Sequence, residues 1–150
     1  MFKVYEFEIF QEDGWYLAFP YDFDGGTQGA TLDEACHMAA DWLKVTLEDL
    51  AIKGEEPPVA SFGNEPRHGG RILLVGVEAS RETVRKVSAS EAARRLGVSP
   101  SRVTQMLAAG RLEGWREGRR TWVTLDSVEA RLAEHPSVGR PRKGEPAATV

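Results

Sequence analysis

The chain has 150 residues, 41% of them hydrophobic, a single cysteine and a formal net charge of −4. One cysteine excludes an intrachain disulfide framework, and no apolar run approaches the length of a membrane span. The first ten residues, MFKVYEFEIF, scatter a lysine and glutamates among apolar residues, which is wrong for a signal peptide. The expectation is a soluble cytoplasmic protein.

FKVYEFEIF alternates as a strand, with Tyr5, Phe7 and Ile9 on one face and Glu6 and Glu8 outward on the other. QEDG supplies turn chemistry, and WYLAF, closed by Pro20, reads as the second strand of a hairpin. GGTQGA allows a third short strand. Thr31 and Glu34 form a capping box for a helix that carries Ala35, Met38, Ala39, Trp42, Val45 and Leu50 at helical spacing and stops at Gly54. The polar, Pro/Gly-rich stretch EEPPVASFGNEPRHGG connects it to RILLVGV, a continuous apolar run that predicts a strand buried on both faces. The order β-β-β-α-β describes a small α+β domain over residues 1–80.

SRETVRK reads as the connection, with a linker at 81–86. Ser88 and Glu91 make a second capping box for a helix over Ala89–Leu96, and Gly97 turns the chain. Ser99 then caps a helix that has Pro100 at its first position and ends at Gly110. LEGWREGRRTWV reads as a β-hairpin, and Thr124 or Asp126 caps a last helix through Leu132. This predicts a mostly helical winged helix-turn-helix over 87–135. The tail, 136–150, is basic and poor in apolar residues, so disorder is the expectation. Its VGRPRKG is either an incomplete AT-hook or a non-specific basic tail.

Charge divides with these halves. Residues 1–80 hold 5 Lys/Arg against 15 Asp/Glu, a net −10, and residues 81–150 hold 14 against 8, a net +6. Such asymmetry suggests two partners of opposite charge, one of them nucleic acid. In the second helix of the basic half, Val103, Met106 and Leu107 form the inward stripe. That leaves Ser101, Arg102, Thr104 and Gln105 outward, residue types that read base edges. Arg116, Arg119 and Arg120 at the hairpin suit phosphate contact or the minor groove.

Residues 87–132 resemble the excisionase and MerR-type winged helix-turn-helix, through AARRLGVS in the first helix, GRL after the second and GRR in the wing. The acidic half carries a second resemblance. Its stretch DGWYLAFPYDFDGGTQGATLDEA is similar to the signature of HicB-type antitoxins, with Phe19-Pro20 and Thr27-Gln28-Gly29 at matching spacing and YDFDGG in place of that family's usual loop. The resemblance implies a degenerate RNase H-like fold. It also implies an antitoxin that masks a small basic RNA-cleaving toxin of the HicA type and represses its own operon on double-stranded DNA as a homodimer or higher oligomer. Tyr21, Asp22, Phe23 and Asp24 combine aromatic anchors with charge and are the candidate partner contacts. The other reading of these four packs Tyr21 and Phe23 under the loop and leaves the aspartates as turn residues.

No catalytic set, metal site or cofactor is expected. Asp22 and Asp24 lack a third strand-borne carboxylate. In the DFDGG loop, Thr27 and Asp33 hold positions that a calcium loop gives to other residues. His37, His68 and His135 have no ligand spacing with Cys36. A stand-alone DNA-binding regulator without a toxin, or less directly a recombination accessory protein, accounts for the same DNA-reading half.

Overall fold

The structure, a computed structural model, describes residues 1–134. The predicted tail at 136–150, its AT-hook reading and His135 lie outside the described residues. The chain forms two compact units that divide between Val84 and Arg85.

The first unit is a four-stranded antiparallel sheet with one helix. Strand β1 (Phe2–Glu12) turns at Asp13 and Gly14, both at positive φ, into β2 (Trp15–Pro20). Strand β3 (Thr27–Gly29) pairs with β2, the helix α1 (Leu32–Lys53) follows, and β4 (Arg71–Glu78) returns beside β1, for a strand order β3-β2-β1-β4. Thr31 caps α1 by accepting the Glu34 N–H at 3.1 Å, while the Glu34 carboxylate accepts from the Ala30 N–H at 2.9 Å. The box therefore reaches one residue further back than Thr31's own N–H.

The core lies between α1 and one sheet face. Tyr5, Phe7, Ile9, Ala18, Val75 and Val77 meet Ala35, Ala39, Leu43 and Leu47. The buried helix stripe runs at intervals of four. Met38 and Val45, placed in the stripe by the sequence reading, are 40% and 66% exposed. A helix of this length turns those two positions past the edge of its contact with the sheet.

Two further expectations are corrected. Glu6 and Glu8 do not point to solvent: they are 5% and 2% exposed. The connection predicted as a plain polar loop folds back across their face and gives them its backbone. The N–H groups of Gly63 and Asn64 donate to Glu6 at 2.8 and 3.0 Å, and those of Arg67, His68 and Gly70 donate to Glu8 at 2.8–2.9 Å. A buried carboxylate is tolerable when charge-assisted hydrogen bonds replace its water. Nor is β4 buried on both faces. It is an edge strand with Leu74 61% exposed.

The second unit begins at Arg85, inside the linker expected at 81–86. Arg81 turns back to donate to the carbonyls of Ala51 and Ile52 at 2.8 and 3.2 Å, at the end of α1 where Ala51 also accepts from the Gly54 N–H. Lys86–Ser88 forms a short strand, β5. It is followed by α2 (Ala89–Leu96), α3 (Pro100–Ala108), β6 (Gly114–Glu117), β7 (Arg120–Thr124) and α4 (Leu125–Glu134). The sheet order is β5-β7-β6, so the predicted hairpin has a third strand. Helix α3 stops at Ala108, with Ala109 as its cap, two residues before the predicted end at Gly110. Ala92, Ala93, Val103, Met106, Leu112, Val123 and Val128 make the core of this unit.

Candidate nucleic-acid interface

The geometry of α2 and α3 follows from their termini. The Ser88 hydroxyl accepts the Glu91 N–H at 3.1 Å, and the Ser99 hydroxyl accepts the Arg102 N–H at 3.1 Å. Between them Gly97 sits at φ 69°, and the N–H groups of Gly97 and Val98 close back on Arg94 and Ala93. This left-handed stop lets the second helix start within three residues of the first.

Burial of Val103 and Met106, with Leu107 half-buried, fixes the rotation of α3. The predicted readers Ser101, Arg102, Thr104 and Gln105 are all exposed as a result. The Arg102 guanidinium donates to Gln105 Oε1 at 3.3 Å, so the two groups suited to guanine and adenine lie side by side. Thr104 turns its hydroxyl back to the Pro100 carbonyl at 3.3 Å, which leaves its methyl free for an apolar contact.

The wing arginines are exposed as well, and each is held differently. Arg116 Nε donates to the Gly118 carbonyl across the hairpin turn at 3.2 Å. Arg120 lies over the Trp122 ring, 5.7 Å from its centre. Arg119 occupies the tip itself. Lys86 joins this cluster, 5.5 Å above Trp122 and 5.8 Å from Trp115. Sequence reasoning placed Lys86 in a linker because three residues are too few to show a strand period.

In the acidic unit the four predicted partner contacts are not equivalent. Tyr21 donates its hydroxyl to the Glu65 carbonyl at 2.8 Å and carries the Arg67 guanidinium over its ring. Asp22 accepts from the N–H and hydroxyl of Ser61 at 3.0 and 2.7 Å. Phe23 packs edge-on between Tyr5 and Trp42, 4.8 and 5.8 Å away between ring centres. Asp24 alone of the four is exposed. The structure therefore turns three of the four toward their own unit. The loop chemistry that suggested an interface also serves to fasten the 57–70 connection.

Glu6 and Glu8 are held as anions. Hydrogen bonds from Gly63 and Asn64 lower the pKa of Glu6. At Glu8 burial pushes upward, but the His68 ring and the N–H groups of Arg67, His68 and Gly70 outweigh it and bring the pKa down to about 2. Among the described residues no three His, Cys, Asp or Glu side chains gather where a metal ion could be held. No described helix is long and apolar enough to cross a membrane.

Residues 87–136 match the family model of a helix-turn-helix domain. The region matched is the capped helix pair with its wing. Among solved structures the chain is similar to one described as a toxin–antitoxin complex from Streptococcus pneumoniae, at 21% identity and a TM-score of 0.46, covering 73% of this chain and 99% of that one. No curated protein matches the chain.

Proposed function

We propose that this chain is an antitoxin and autorepressor of the HicB type. Its acidic unit would bind a small basic RNA-cleaving toxin, and its helix-turn-helix would bind the operator of its own operon. The observation that carries the reading is one chain joining a helix-turn-helix domain, with Ser101, Arg102, Thr104 and Gln105 outward, to a half of net charge −10. A field of that sign speeds encounter with a basic protein and repels DNA, so the two halves serve different partners. α3 would enter the major groove and the wing would lie along the backbone. Two copies would read paired half-sites about one helical turn apart. The degenerate RNase H-like fold belongs to the same proposal; it rests on the strand order and the helix after β3, and must accommodate an antiparallel β1–β4 pair.

One observation favours a second reading, a stand-alone DNA-binding regulator. Tyr21, Asp22 and Phe23 serve their own unit, which leaves less of the predicted toxin contact available. The two readings separate by co-expression. A small basic protein encoded beside this chain is induced alone and with it, and growth is scored. Arrest by the neighbour alone and rescue by this chain supports the antitoxin. A harmless neighbour, or arrest that the chain does not relieve, moves the assignment to the regulator.

A further inference from the structure

Two of the outward side chains on α3 are already engaged with each other. Arg102 Nη1 donates to Gln105 Oε1 at 3.3 Å, and both residues are exposed. Burial of Val103 and Met106 turns their side of the helix outward, and the Ser99 hydroxyl, accepting the Arg102 N–H at 3.1 Å, fixes the turn from which Arg102 starts. The pair stands three residues apart, a spacing at which helical side chains meet. Thr104 does not compete for either group, because its hydroxyl is spent on the Pro100 carbonyl at 3.3 Å.

The bond restricts what each group can offer a base. A guanidinium only donates, so the Gln105 amide can meet it through Oε1 alone. The end turned away is then Nε2, with two donors and no acceptor. A glutamine that reads adenine needs both ends, donating to N7 and accepting from the N6 amino group. Here the accepting end is taken. Arg102 gives up one Nη1 hydrogen and retains its Nε–Nη2 edge, a fork that matches O6 and N7 of guanine. In water an exposed pair of this kind adds little. Against DNA both side chains lose their water, and a charge-assisted bond between them satisfies groups that would otherwise be buried without partners.

We infer that Arg102 and Gln105 read DNA as a coupled pair, in which Arg102 takes guanine and Gln105, reduced to a donor, selects a neighbouring keto base. Guanine presents O6 and N7 to that donor and thymine presents O4. Adenine sets its N6 amino group against the same end, and cytosine offers its N4 amino group, so both turn donors toward donors. Gln105 by itself suits adenine; Gln105 held by Arg102 does not. The inference rests on the reading of α3 as the major-groove helix and adds the base that this helix selects.

The test is selection by the full chain from a pool of duplexes with a randomised centre, followed by titration of the enriched duplex and its single-base variants. Gln105→Ala marks the base that Gln105 reads, as the position where preference disappears. In the unaltered chain that position should favour guanine or thymine over adenine by about fivefold or more, the low end of what a good base-edge pair discriminates. Arg102→Ala frees Oε1. It should raise the relative affinity for adenine at the Gln105 position by about fivefold or more, beside the loss at its own guanine. Titration at low salt keeps the weakened variant on DNA through its phosphate contacts. Adenine as the preferred base at the Gln105 position of the unaltered chain overturns the inference. So does a Gln105→Ala chain with an unchanged motif, or an Arg102→Ala chain that gains nothing on adenine. Each of these leaves the DNA-binding reading intact, since a motif has been selected. A chain that enriches no duplex overturns that reading and the inference with it.

Discussion

The His68 ring nitrogen Nδ1 lies 3.0 Å from Oε1 of Glu8, and the imidazole stacks on Phe10 with ring centres 4.3 Å apart. This contact fastens the 57–70 connection to the middle of β1. It depends on Glu8 being an anion. A carboxylate whose folded pKa lies below its unfolded value stabilises the fold above the unfolded value and loses that contribution as pH falls toward the folded one. With an ordinary value of 4.5 and a folded value of about 2, the loss occupies that acid window. Glu8→Gln should cost about 1–3 kcal/mol at neutral pH. It should also flatten the fall in stability between those two values, read from denaturant unfolding at several pH values.

Asp22 and Asp24 should separate stability from partner binding. Asp22→Ala strips two donors on Ser61 of their acceptor and should destabilise the acidic unit by about 1–3 kcal/mol. Asp24→Ala should leave unfolding within about 0.5 kcal/mol of the parent. It should instead weaken affinity for a basic partner, which titration calorimetry would register.

Arg102→Ala should relax base preference, because its guanidinium lies on the exposed face of α3 and is of the type that suits bidentate contact with guanine. A loss of about 1–3 kcal/mol confined to one base position is expected when a set of singly substituted operators is titrated. A uniform loss across all the sequences would instead make Arg102 a backbone contact.

Arg119→Ala should do what Arg102→Ala does not. From the wing tip it should lower affinity for every sequence and reduce the salt slope of binding by about one unit. Binding measured from low to moderate salt reads both quantities, and no change in either removes the wing from the interface.

Gly97→Ala tests the turn. At φ 69° an added Cβ meets no neighbouring atom, so the cost is conformational alone. Thermal unfolding should show a loss of about 1–2 kcal/mol from the basic unit, and DNA binding at low temperature should survive.

The helix-turn-helix was largely legible because its signals are local. Ser88, Gly97, Ser99 and Pro100 each punctuate the chain within a few residues of the bond they make, and Val103 and Met106 repeat at helical spacing. The hairpins of both units declared themselves through turn residues and alternation. What stayed hidden was non-local. Glu6 and Glu8 carry no mark that distinguishes a solvated strand face from one covered by a loop sixty residues later. Ile72–Val77 reads as a buried strand because composition reports apolarity and not position in the sheet. Tyr21–Asp24 looked like contact residues because aromatic and acidic side chains serve interfaces and internal fastening equally well.

The pairing of β1 with β4 also sets an order of events during synthesis. Phe2 lies opposite Glu78, so the first strand made waits for the last of its unit, and most of that unit must leave the ribosome before its sheet can close. The second unit closes its sheet by pairing Lys86 with Thr124, across about half as much chain. The acidic unit therefore carries the slower search, and while it lasts the uncharged run of β4 emerges beside an unfinished sheet.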